Sequence, residues 1–214
     1  MPESLTLNAL PLFPLGTVLY PGGVLPLRIF EVRYLDMIGK CRKHGAPFGV
    51  VALSQGSEVQ RAQGDAFADE SFDNVGTLAT IQEFSAPQAG LMVIRCSGTE
   101  RFTVTHRERL KHGLWVARVE RLAPDQRLPI PPDLQPVSDA LGRLIKALQE
   151  RSVSADQMPM DAPYVLDDCG WVANRWCELL NVPTQLKQRL MALDNPLLRL
   201  ELVSDLLERA GITK

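Results

Sequence analysis

Few residues in this chain have the types and spacing that chemistry needs. Cys41 and His44 stand three apart, a separation that suits two metal ligands on one helical turn, but no second pair of cysteines, histidines or carboxylates complements them. Cys41 therefore reads as core and His44 as an exposed helix end, and no metal site is expected. His106 and His112 flank Arg107, Arg109 and Lys111, with no serine or cysteine nucleophile set beside them. That stretch reads as the solvated end of a hairpin, or as a small basic patch for an acidic partner. Asp167 and Asp168 are adjacent, and neighbours in sequence do not face each other on a helix, so capping of the following helix explains them better than paired acid–base work. Gly39-Lys40 lacks both the upstream glycine and the following hydroxyl residue of a phosphate-binding loop. Neither a Gly-x-Ser-x-Gly elbow nor a His-Glu-x-x-His pair occurs. The expectation is a protein with no catalytic residues, no metal and no cofactor.

The bulk properties agree. The chain has 214 residues, 45% of them hydrophobic and 22% charged, which is ordinary for a folded globular protein. Its formal charge is −2 and its pI about 5.9. Nucleic-acid binders draw most of their affinity from neutralising phosphates, so the missing basic excess argues against that class. The start, Met1-Pro2-Glu3-Ser4-Leu5, lacks the basic and apolar regions of a secretory signal. No apolar run approaches the roughly 18 residues that a membrane crossing needs. Cys41, Cys96, Cys169 and Cys177 are scattered without framework spacing. They are expected to be reduced, and the protein cytoplasmic.

The first 124 residues read as a β lobe. Short apolar runs at 10–14 and 24–30 are cut by prolines, which suits edge strands or strand ends. Tyr20-Pro21-Gly22-Gly23 between them is a turn signal. Val32, Leu35, Met37, Ile38 and Cys41 recur at helical spacing and predict a helix over 31–44, stopped near Gly45. Phe48–Leu53 reads as a buried strand. Residues 54–74 read as a polar, solvated excursion, acidic at Asp65, Asp69, Glu70 and Asp73. Alternation over 77–85, 91–105 and 114–122 predicts antiparallel strands and a barrel or curled sheet. Residues 125–133 form a proline-rich connector, and 134–214 read as a helical lobe. Its helices are expected over 134–148, 164–180, 184–193 and from Pro196 to a stop near Gly211, with Asn195 as a cap.

Phe30-Glu31-x-x-Tyr34 falls where strand meets helix. Glu31 is well placed against the helix macrodipole, Phe30 and Tyr34 are expected to clamp the helix onto the sheet, and Arg28 and Arg33 to pair with Glu31. Gly76 and Gly98 read as backbone devices, for positive φ or for close strand approach. A protein-binding surface needs exposed apolar groups with a polar rim. Tyr20, Trp171 and Trp176 are the candidates, at the Tyr20 turn and at the seam between the lobes. Trp171 and Trp176 stand about 140° apart on a helix, so only one of them should face the core.

These blocks resemble a known family. Leu10-Pro11-Leu12-Phe13-Pro14-Leu15, Tyr20-Pro21-Gly22 and Leu25-Pro26-Leu27-Arg28-Ile29-Phe30-Glu31-Val32-Arg33-Tyr34 look like the opening of the Lon protease amino-terminal domain. So do Gly76-Thr77-Leu78-Ala79-Thr80-Ile81 and Gly98-Thr99-Glu100-Arg101-Phe102, and more weakly Leu186–Leu190 and Arg199–Leu202. The resemblance spans residues 8 to about 210. It implies an α+β fold, with a PUA-like antiparallel β-barrel lobe followed by an α-helical bundle. It also implies a non-enzymatic module that recognises protein segments, acting as an adaptor in protein quality control. The ATPase and Ser/Lys protease of full-length Lon are not expected in this chain. Analogy with PUA-like barrels leaves RNA binding as the alternative, against which the acidic pI stands.

Overall fold

The computed structural model describes residues 6–55, 70–154 and 157–213. It divides into two compact units, Met1–Ala123 and Pro124–Lys214.

The first unit is a sheet with one helix. Its elements are β1 (Thr6–Leu15), β2 (Val24–Ile29), α1 (Val32–His44), β3 (Phe48–Gln55), β4 (Ser71–Gln88), β5 (Leu91–Arg109) and β6 (Trp115–Arg121). The strand order is β2-β5-β4-β3-β1-β6, and β5 also pairs with β6. The ladder from β5 through β4, β3, β1 and β6 thus returns to β5. β2 extends the sheet elsewhere on β5, pairing with Met92–Ser97, whereas β6 pairs with Phe102–Arg109.

The sheet is mixed, not wholly antiparallel as alternation alone suggested: β1 and β3 run parallel. A parallel pair needs a long crossover, and β2 with α1 supply it. Alternation reports which faces are buried and carries no information on strand direction. β1 also qualifies the reading of its prolines. It is an interior strand, but its two ladders overlap only at Leu12. Pro11 pairs with β6 before β3 joins, and Pro14 pairs with β3 after β6 has left. Each proline sits where β1 is locally an edge, so its missing N–H breaks no ladder.

Helix α1 matches its predicted span and stops at Gly45, whose φ of 59° is left-handed. It buries Tyr34, Met37, Ile38 and Cys41 in a cluster with Phe13, Ile29, Phe48 and Ile94. A second cluster gathers Leu10, Leu12, Val51, Leu78 and Phe102. Two strands are cut down to admit the Phe102 ring: a Cβ on Gly49 would stand 2.8 Å from its Cζ, and one on Gly76 2.5 Å.

Most of the expected polar excursion at 54–74, Asp65 and Asp69 included, lies outside the described residues. Its ends do not, and they correct the reading. Ser54 and Gln55 close β3, Ser71–Asn74 open β4, and Phe72 is core.

The second unit holds α2 (Gln135–Glu150), α3 (Cys169–Leu179), α4 (Thr184–Ala192) and α5 (Pro196–Arg209). Helix α3 begins later than its apolar pattern suggested, because Asp168 caps it, accepting the Trp171 N–H at 2.8 Å. Asn195 caps α5 by accepting from Leu197 and Leu198. The proline-rich stretch is built into this unit. Cys169 N–H donates to Leu128 O, and Asp125 pairs with the buried Arg199, which also donates to Asn174 and to Leu190 and Leu193 carbonyls. No helix among the described residues is long and apolar enough to cross a membrane.

Candidate functional site

The junction of β2 and α1 is built by six consecutive residues, Ile29–Tyr34, that pass from core to solvent and back to core. Ile29 ends β2 in the core. Phe30 turns outward and is 53% exposed. Glu31 is extended (φ −75°, ψ 132°) and precedes the first helical turn. Val32 opens α1 and is 81% exposed. Arg33 and Tyr34 then turn inward and are buried. Two large apolar side chains in one short turn thus face water while both flanks are fixed.

The anchoring is polar on one side and aromatic on the other. The Arg33 side chain is 4% exposed and is surrounded by acceptors. Its Nε donates to Glu31 Oε2 at 3.0 Å, Nη2 to Glu70 Oε1 at 3.1 Å, and Nη1 to Gly113 O at 3.0 Å. Glu70, 3% exposed, also accepts from Trp115 Nε1 at 3.0 Å. One arginine therefore ties the start of α1 to the start of β4 and to the β5–β6 turn. Tyr34 stacks on Phe13 at 4.0 Å, with the Arg33 guanidinium 4.5 Å from its ring centre.

The electrostatics follow from burial. Burial raises the Glu31 pKa, against the lowering pull of Arg33. For Arg33 burial acts downward but is outweighed by the hydrogen bond to Glu70 and by the charges of Tyr34, Glu70 and Glu31, so its pKa rises. Burial carries the Tyr34 phenol well above its ordinary value. Nothing in this set pairs a nucleophile with a base, and among the described residues no three metal-ligating side chains cluster. The arrangement can hold a shape, and the shape presents Phe30 and Val32.

Several expectations need correction here. Phe30 does not clamp the helix; Phe13 takes that role against Tyr34. Val32 is exposed and is not part of the buried stripe of α1, which begins at Arg33 and Tyr34. Glu31 pairs with Arg33, while Arg28 is exposed on β2. Tyr20 is fully buried, so the turn that carries it offers no aromatic surface. Gly76 and Gly98 serve close approach and not positive φ: a Cβ on Gly98 would meet Tyr20 O at 2.2 Å, and one on Gly76 would meet Val50 O at 2.5 Å. Trp176 is buried and donates to Val137 O, leaving Trp171 half-exposed beside Tyr164 and Arg175. Both tryptophans belong to the second unit, and Tyr20 and the Phe30–Tyr34 motif to the first. Sequence reasoning missed Glu70, Gly113 and Trp115. Gly113, with φ of 87° after Lys111-His112, was a readable turn signal; nothing local marked Glu70 as buried.

The second unit has its own open cleft of about 630 Å³ between Pro129–Ile130, α2 and Leu166–Asp167. Its carboxylates are engaged within the unit, Asp139 by Gln135 and Asp167 by Arg127.

The family described as the ATP-dependent protease La (LON) substrate-binding domain matches residues 9–209. The chain belongs to this family. A crystal structure of a Lon N-terminal domain protein from Xanthomonas campestris is similar to it, with 30% identity and a TM-score of 0.72, over 93% of this chain and 98% of that one. The N-terminal domain of Mycobacterium avium complex Lon protease shares the fold at 12% identity and a TM-score of 0.58, over 92% of this chain and 97% of that one. No curated protein sequence matches. The Phe30–Tyr34 junction, Gly76 and Gly98 all lie inside the segment that the Lon substrate-binding family matches.

Proposed function

We propose that this Lon-type domain is a non-catalytic module that captures exposed apolar segments of other polypeptides at the Phe30–Val32 turn. The observation that carries the reading is the exposure of these two side chains, 53% and 81%, on a backbone held by the Arg33–Glu70 network. An apolar side chain in water gains by burial against another apolar group, at roughly 25 cal/mol per Å². A rigid presentation avoids ordering costs on binding. Among the described residues β2 pairs on one side, with β5, and its outer edge lies beside the turn. Gly23 C=O bonds to Gly98, so two-residue alternation turns the backbone polar groups of Val24, Pro26 and Arg28 outward, and Pro26 keeps that edge from templating a continuous strand.

With this reading goes the finer architecture the resemblance implies: the strand path that returns to β5 as a PUA-like barrel, and α2–α5 as a helical bundle. An adaptor role in protein quality control, in the cytoplasm, is part of the same proposal. Its name ties the family to protein substrates, and no observation favours RNA. The test is fluorescence anisotropy of a labelled, permanently unfolded polypeptide titrated with the chain. Binding that falls at least tenfold in Phe30→Ser/Val32→Ser, with unchanged circular dichroism, supports the proposal. Binding unaffected by that pair refutes it.

A further inference from the structure

The β5–β6 hairpin carries a charge pattern that capture of apolar groups alone does not use. Residues 105–118 hold Arg107, Arg109, Lys111 and Arg118 against the single carboxylate Glu108, a local charge of +3 with histidines neutral, in a chain of net charge −2. His106, Arg107, Lys111, His112 and Arg118 are exposed. The hairpin is stiff. Its turn is closed by Leu110 N–H to Leu114 O and Gly113 N–H to Leu110 O, both 2.8 Å. Arg107 lies 4.5 Å from the Phe72 ring centre and donates to Phe72 O at 3.2 Å, and Phe72 meets Trp115 edge-on at 5.4 Å.

The turn is also tied to the apolar pair. Arg33 follows Val32 directly and donates to Gly113 O, which directly follows Lys111-His112. One arginine side chain therefore links the backbone next to Val32 to the backbone next to His112. Among the described residues, the acids at that contact are occupied: Glu31 and Glu70 both pair with Arg33.

Resting on the capture reading above, we infer that the turn Lys111–His112, with Arg107 behind it, forms a cationic rim to the Phe30–Val32 anchor. The segment this site prefers is an extended polypeptide whose apolar residues are followed by aspartate or glutamate. Charge complementarity at a rim adds selectivity and encounter rate to an affinity set by the apolar anchor. An apolar segment flanked by lysines meets the same rim as repulsion and is excluded.

The experiment uses three labelled peptides with one shared apolar core and flanks of Asp/Glu, Ser/Gly or Lys, titrated by anisotropy against the full chain. Two favourable exposed pairs predict an acidic-over-neutral preference of about tenfold at 0.05 M salt. It should collapse towards unity at 1 M salt, where the Debye length is about 3 Å. Lys111→Glu/His112→Glu should abolish or invert the preference. If all three peptides bind alike and all depend on Phe30 and Val32, the rim inference is overturned while capture stands. If none binds, capture falls and the rim with it. If single-stranded RNA, and no peptide, binds in a Lys111-dependent manner, the cations serve phosphates and the inference is equally overturned.

Discussion

Replacing Glu70 with alanine removes the acceptor shared by Arg33 and Trp115, and the structure sets the size of the loss. Among the described residues, Arg33 keeps Glu31 and the Gly113 carbonyl as acceptors, and its guanidinium stays in the interior at 4% exposure. Three hydrogen bonds go: two from Arg33, at 3.1 and 3.4 Å, and one from Trp115 at 3.0 Å. Breaking a buried pair by removing one partner costs about 3–5 kcal/mol, because the surviving charge is left poorly compensated. Glu70→Gln keeps the shape and one acceptor oxygen, so it should cost less, about 1–2 kcal/mol. The sharper test is the cycle with Arg33→Met. The double variant strands neither Arg33 nor Glu70, leaving the partly exposed Glu31 without its partner, and should be less destabilised than the sum of the singles by about 2 kcal/mol. Guanidinium unfolding of the full chain, followed by far-ultraviolet circular dichroism and tryptophan fluorescence, measures all four corners. A Glu70→Ala loss below about 1 kcal/mol, or strict additivity, would show that Arg33 is effectively solvated, and the rigid presentation of Phe30 and Val32 would lose its basis.

Other expectations follow from single contacts. Gly98→Ala forces a Cβ to 2.2 Å from the Tyr20 carbonyl and should destabilise by at least about 2 kcal/mol, whereas Gly39→Ala, inside α1 with nothing within 4 Å, should stabilise by about 0.5–1 kcal/mol; thermal melts of the two decide. Tyr34 titrates higher folded than unfolded, so the folded chain holds its proton longer. Its contribution is complete below pH 10 and is lost as pH rises beyond it, and Tyr34→Phe should flatten the alkaline fall in denaturation midpoint. Burial pushes the Cys96 thiol up to about 12 and raises those of Cys41 and Cys169. Alkylation at pH 8 should therefore be slow at these three until denaturant is added, and rapid labelling of Cys96 in the native protein would contradict its burial.

What was legible in the sequence divides along physical lines. Helix α1 and its stop at Gly45 could be read because periodicity and a left-handed glycine are local signals. The capping roles of Asp168 and Asn195 could be read for the same reason. Strand direction could not, because β1 and β3 meet across 32 intervening residues and alternate alike whichever way they run. Glu70 lies at the edge of a polar, acidic stretch, and its burial depends wholly on Arg33 and Trp115, 37 and 45 residues away. Local patterns cannot report such a partner.

The same limit applies at both ends of the candidate site. Residue type alone places apolar side chains in the core, which is sound for Tyr34 and fails for Val32, its neighbour but one. At the β2–α1 junction period-two alternation gives way to helical spacing, and neither rule governs the residues between. Phe30 belongs to the strand by position but follows its last ladder pair, Ile29 with Met92. Val32 precedes the first residue of α1 that meets the sheet. With Arg33 and Tyr34 fixed inward, the backbone has no freedom to turn Phe30 and Val32 in as well. Exposure of two apolar side chains is thus a consequence of how firmly their neighbours are held. Loosening the anchor should therefore weaken capture even with both side chains intact. Glu70→Ala, assayed at a temperature where it remains folded, should lower affinity for an unfolded polypeptide by slowing association and hastening release. If affinity is unchanged in a folded Glu70→Ala chain, presentation does not depend on the Arg33 network, and the two exposed residues act without it.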